Sequence, residues 1–126
     1  MTEQRLTLGR RGEEAAARYL KKQGMKLIER NMRTPVGEID LIMRHKRCIV
    51  FIEVKTRSSQ DYGAPAEAVG ARKQRQIIRA ATWYLNEGKG GKTLFGQPLQ
   101  PRFDVVAVLM QGEGCEVEHI VGAFEV

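Results

Sequence analysis

Two carboxylates and an ammonium recur at strand spacing in the first half of the chain. Glu38-Ile-Asp40 and Glu53-Val-Lys55 each keep their charged residues two positions apart, the period at which a β-strand puts side chains on one face. If the two segments pair as neighbouring strands, acids and a lysine meet on a common sheet face. Hard divalent cations want oxygen ligands, and Mg2+ takes only one or two carboxylates, completing its octahedron with water and substrate phosphate oxygens. Asp40 and Glu53 suit that role for Mg2+ or Mn2+. An ion held there would acidify a bound water and stabilise charge on an attacked phosphate. Lys55 would orient or deprotonate that water, or neutralise charge in the transition state. Glu38 reads equally as a turn-end carboxylate and as an additional ligand.

The elements around these residues must hold them in place. Glu3 to Gln23 reads as an alanine-rich helix, with Gly24 placed to end it in a left-handed conformation. At about 100° per residue, Gly9, Glu13, Ala16, Ala17 and Leu20 share one arc, and Glu14, Arg18, Lys21 and Lys22 lie outside it. Glu13 therefore points inward. A carboxylate on an apolar stripe is costly unless it is paired or bound to a cation, so Glu13 is expected to join the cluster as a direct or outer ligand.

Met25 to Asn31 reads as a short edge strand, and the TPVG turn at 34–37 leads into a strand from Glu38 to Arg44. Strict alternation there puts Ile39, Leu41 and Met43 on one side and Glu38, Asp40 and Ile42 on the other. Arg44 to Arg47 is short enough for a hairpin turn. Cys48 to Thr56 is a nearly unbroken apolar run, expected of a central strand covered on both faces, with Glu53 and Lys55 sharing a face with Ile49 and Phe51. Arg57 to Gly70, punctuated by Gly63 and Pro65, reads as a mobile loop. A second helix from Ala71 to Asn86 carries an inner stripe of Lys73, Ile77, Ala80, Ala81 and Tyr84. After a GKGGK connector at 88–92, strands follow from Arg102 to Met110 and from Cys115 to Val121. This order predicts an α/β fold with a mixed central sheet flanked by helices.

Whole-chain properties narrow the function classes. With 126 residues, 42% of them hydrophobic, the chain suits one domain spanning 1–126. A net charge of +6 favours polyanionic partners, nucleic acid first among them. Arg33, Arg57, Arg72, Lys73 and Arg75 flank the acid cluster, with Arg10 and Arg11 on the first helix, and as a set they offer contacts to phosphates. The two cysteines form no metal-binding or redox motif, and Cys48 reads as a small buried hydrophobe. His45 and His119 read as turn or solvated-strand residues. No apolar run reaches the roughly 18 residues a bilayer span requires, and the N-terminus lacks a secretory signal, so a cytoplasmic protein with no membrane partner is expected. Gly91-Lys92-Thr93 is no phosphate-binding loop, because Asn86 stands where the first glycine is required.

The runs GRRGEEAAARYL (9–20), GEIDLI (37–42), FIEVKTR (51–57) and RFDVV (102–106) resemble the YraN family of small bacterial proteins. That family is similar to archaeal Holliday junction resolvases and, by resemblance, to the PD-(D/E)XK nuclease superfamily. The resemblance implies a restriction-endonuclease-like α-β-β-β-α-β core. It matches Asp40 to the metal-binding aspartate, Glu53 and Lys55 to the E-x-K pair, and Glu13 to the acid of the first helix. Ile39 departs from the proline that precedes the aspartate in the superfamily motif.

Two functions are therefore expected to compete. One is a Mg2+- or Mn2+-dependent DNA endonuclease acting on branched, junction-like substrates as a homodimer. The other is a nucleic-acid-binding or protein-interaction module that keeps the nuclease scaffold without catalysis.

Overall fold

The structure, a computed structural model, describes residues 3–58, 69–87, 93–94 and 96–125. Among them the chain runs α1 (Glu3–Lys22), β1 (Lys26–Thr34), β2 (Gly37–His45), β3 (Cys48–Ser58), α2 (Ala71–Glu87), β4 (Thr93–Leu94), β5 (Gln97–Pro98), β6 (Gln100–Gln111) and β7 (Gly114–Phe124). The expected α-β-β-β-α-β order is present, with β4 and β5 forming a small hairpin of their own and β7 closing the chain. The expected connector at 88–92 and most of the expected loop at 57–70 lie outside the described residues, although β3 carries Arg57 and Ser58 as strand.

Helix α1 stops where a left-handed glycine can turn the chain. Gly24 has φ +93°, its N–H donates to Lys21 O at 3.0 Å, and Met25 N–H donates to Leu20 O at 3.1 Å. This is the Schellman arrangement, and its apolar contact is present because Met25 and Leu20 are buried in the same cluster.

The main sheet has the strand order β1-β2-β3-β6-β7. Neighbours are antiparallel except for β3 and β6, which run parallel from Cys48↔Gln100 to Ser58↔Met110. A helix covers each face. Ala16, Ala17 and Leu20 of α1 pack on Leu41, Met43, Val50, Ile52, Val54, Val106 and Val108. Ile77, Ala80, Ala81 and Tyr84 of α2 pack on Ile39, Ile42, Ile49, Phe51, Phe103 and Val105. The near-continuous apolar run of β3 follows from this: its even residues serve the α1 core and Ile49 and Phe51 serve the α2 core. No helix among the described residues is long and apolar enough to cross a membrane.

One expectation fails on β2. Ile39 lies in the α2 core with Ile42, not with Leu41 and Met43, which face α1. Residues three apart cannot share a face of a regular strand, so alternation slips between Ile39 and Leu41. Strand β1 shows the cause. Asn31, between the paired positions Arg30↔Leu41 and Met32↔Ile39, has φ +49°, and this left-handed residue turns the hairpin over. Arg30 faces α1, where it pairs with Glu14 at 2.8 Å, whereas Met32 packs against the α2 core. The edge strand also extends past Asn31 to Thr34, leaving a two-residue turn of Pro35 and Val36.

Candidate metal centre

The β2–β3 ladder runs from His45↔Cys48 to Leu41↔Ile52, and Asp40 and Glu53 are the next residues on each strand. Here the strands part, and a side chain fills the gap. Asp40 Oδ2 accepts the backbone N–H of Val54 at 2.8 Å. Asp40 is thereby fixed to the strand that carries Glu53, with its other oxygen left for a second partner. Glu53 is 7% exposed and projects from β3 with Lys55 on the α2 side, as alternation from Ile49 and Phe51 requires.

Glu13, Asp40, Glu53 and Lys55 line one cavity of about 490 Å³, together with Leu8, Gly9, Val54 and Thr56. Helix α1 reaches this cavity because of Gly12. A Cβ at Gly12 would overlap the side chain of Thr56, approaching its Cβ to 2.7 Å. The missing side chain lets the helix lie directly on β3, one residue before Glu13. The glycine that matters for this approach is thus Gly12, which the amphipathic stripe left out.

The acids share an electrostatic problem. Burial, then the charge of Asp40, raises Glu53 from 4.5 to about 7, with Lys73 and Lys55 opposing the shift. Burial also raises Asp40, against the Val54 hydrogen bond and the charge of Lys73. Glu13 is raised by burial and by Asp40, while a hydrogen bond with Asn31 and the charge of Arg30 act in the other direction. Like charges held together in a partly dry site are the environment that a divalent cation relieves. Among the described residues no three His, Cys, Asp or Glu side chains converge closely enough to cage an ion unaided. Were an ion held here, Asp40 and Glu53 would be its carboxylate donors, a set that suits Mg2+ or Mn2+ with water and phosphate oxygens completing the shell.

The basic residues divide. Lys73, in the first turn of α2, brings Nζ to 3.9 Å from Glu53 Oε1 and so belongs to the acid site. Arg33 pairs with Glu38 at 2.9 Å in an exposed ion pair near the β1–β2 turn, and the charge of Glu38 also raises Asp40 and Glu13. Arg11 donates to Gly112 O at 3.2 Å, at the turn after β6. Arg72 is exposed on α2, and Arg57 follows Lys55 on the same strand face. Arg75 is exposed on α2 and Arg10 on α1.

A second polar cluster escaped the sequence reading. Asp104 is fully buried and accepts from Arg102 Nε at 3.0 Å, Arg102 Nη2 at 2.8 Å and Gly122 N–H at 3.0 Å. His119 Nε2 lies 2.7 Å from Asp104 Oδ2, and the His119 ring meets Tyr19 of α1 edge-on at 6.5 Å. Burial alone would raise Asp104, but the hydrogen bonds from His119, Arg102 and Gly122 outweigh it and hold its carboxyl below the usual value. His119 is thus a largely buried residue that ties β7 to β6, where a solvated strand face was expected. Cys48 is half-buried against the α1 core and Cys115 is exposed.

Comparison with known proteins follows the same elements. The profile of a family described as "Uncharacterised protein family UPF0102" matches residues 12–108, from the glycine beside Glu13 to near the end of β6. A UPF0102 protein of Syntrophotalea carbinolica is 59% identical over 126 residues, covering 100% of this chain and 98% of the relative. Those of Desulfosudis oleivorans and Caldanaerobacter subterraneus are 47% and 44% identical, covering 99% and 94% of this chain and 95% and 94% of the relatives. The chain therefore belongs to the uncharacterised protein family UPF0102, the YraN family that its motifs resemble.

Proposed function

We propose that this protein is a Mg2+- or Mn2+-dependent endonuclease that hydrolyses phosphodiester bonds of DNA, with branched, junction-like DNA as its substrate class. The observation that carries the reading is the acid pair, Asp40 and Glu53, raised together in affinity for protons at the wall of a cavity that also holds Glu13 and Lys55. A structural ion pair on a strand has no need of two carboxylates lining one cavity.

Asp40 and Glu53 would hold the ion, which when bound supplies Lewis-acid stabilisation of the phosphate and acidifies a water. The chain does the positioning. The Val54 N–H fixes one oxygen of Asp40, so its carboxylate is presented in a single orientation. Lys55 stands on the same strand face as Glu53 and has no ion-pair partner among the described residues, which leaves its ammonium for the water or a phosphate oxygen. In hydrolysis the water loses a proton as its oxygen bonds to phosphorus, and the departing sugar oxygen gains one. Glu13, which lines the cavity and has a raised affinity for protons, would hold such a proton. Arg57 on β3 and Arg72 and Lys73 on α2 would bind neighbouring phosphates. A four-way junction offers two equivalent strands, so a homodimer is the fitting assembly.

The test is cleavage of a synthetic four-way junction and of its component duplex with Mg2+ or Mn2+, using wild-type, Asp40→Asn and Glu53→Gln proteins. Cleavage lost in both variants supports the reading. Equal activity in all three would place the activity elsewhere. Salt-sensitive binding to the junction with no metal uptake would favour a non-catalytic module on the same scaffold.

A further inference from the structure

The ion pair between Lys73 and Glu53 is an unusual one. Its N···O distance of 3.9 Å is far longer than a charge-assisted hydrogen bond. Its partners are unequal too: the Glu53 side chain is 9% exposed and that of Lys73 40%. The carboxylate is thus confined, while the ammonium, on a flexible stem, reaches in from solvent. Two ammonium groups, those of Lys73 and Lys55, act on the acid pair, and Lys73 is the one in a salt bridge with Glu53. Lys55 differs because a central strand fixes its backbone inside the sheet. Lys73 is the third residue of α2, and its side chain is 40% exposed.

We propose that Lys73 is an exchangeable counter-ion, competing with the divalent cation for the acid pair and turning outward to bind a nucleic-acid phosphate when the cation takes its place. This rests on the metal-dependent reading of the site and adds a coupling to it. A dication bound to Glu53 repels an ammonium at that distance and takes over its neutralising role. The freed side chain would then be available to a phosphate. Cation binding and polyanion binding then favour each other, and a reciprocal coupling of this kind is measurable from either side.

Two measurements test it. Mn2+ binding by isothermal calorimetry at pH 8 is expected to be about 3- to 10-fold tighter in Lys73→Met, with Lys73→Gln behaving alike, because the competitor is gone. Arg79→Met, which removes an exposed charge farther along the same helix, is expected to change the affinity less than about twofold. Duplex DNA binding by fluorescence anisotropy, with Ca2+ or with chelator, is expected to strengthen on Ca2+ addition in wild type and to lose most of that gain in Lys73→Met. Unchanged or weaker Mn2+ binding in both Lys73 variants, or an undiminished Ca2+ effect, overturns the exchange and leaves the acid site standing. A wild-type protein that takes up neither Mn2+ nor Ca2+ overturns the acid site and the exchange together.

Discussion

Asp40 Oδ2 accepts the Val54 N–H at 2.8 Å at the point where β2 and β3 stop pairing, so the first acid of the site is hydrogen-bonded to the strand that carries the second. The bond does two things. It replaces a ladder hydrogen bond that the parting strands give up, and it holds two carboxylates close despite their repulsion.

That repulsion has a sign that can be measured. Glu53 rises from 4.5 to about 7, so between these values the folded state binds a proton that the unfolded state has released. Stability is expected to fall as pH rises through this window. In Glu53→Gln the slope should largely vanish, and metal-free protein at pH 8 should be more stable than wild type by roughly 1–3 kcal/mol, since a tenfold change in proton affinity corresponds to about 1.4 kcal/mol. Urea melts at several pH values with chelator present would show it. A variant less stable than wild type would mean that Glu53 is a structural partner.

Asp104 behaves in the opposite sense. Its carboxyl is held below 3.8 by His119, Arg102 and Gly122, so its stabilising effect is present above that value and lost as pH falls through the folded value. Asp104→Ala leaves Arg102 and His119 largely buried without their acceptor and is expected to cost about 3–5 kcal/mol. Denaturant unfolding at pH 7 measures this, and the difference from wild type should shrink toward pH 3.

Gly12→Ala pits helix propensity against contact. Alanine gains about 1 kcal/mol in a helix interior, but its Cβ would overlap Thr56. The overlap is expected to win, with a net loss of about 1–3 kcal/mol and a displaced Glu13. Thermal melting checks the first, and loss of Mn2+ affinity by about 10- to 100-fold would mark the second.

Asn31→Val is expected to destabilise the protein by about 1–2 kcal/mol, because a β-branched residue is strained at φ +49°. Asn31→Gly should restore the backbone but not the hydrogen bond with Glu13. Denaturation separates the two variants, and equal losses would mean that the side chain alone matters.

Much of this was legible in the residues. The stripe of α1 and the inner stripe of α2 from Ile77 to Tyr84 follow from period, and β3 was central because its apolar run has no polar face. Glu53 and Lys55 were placed by alternation alone. Asp40 reached the site by a different route: alternation breaks beside it, and the break originates in Asn31 on another strand. Asparagine inside a strand segment was the available signal, since this residue tolerates the left-handed region better than most. The Asp104 network was hidden because its members are 15 or more residues apart where His119 and Gly122 meet the aspartate, and only the β6–β7 pairing brings them together.

A crystal soaked in MnCl2 and measured at the manganese absorption edge tests the acid site most directly. An anomalous peak within coordinating distance of Asp40 and Glu53, with the Lys73 ammonium moved away from Glu53, is the expected result. A map without a peak between those two carboxylates, from crystals that bind manganese elsewhere or not at all, would contradict it.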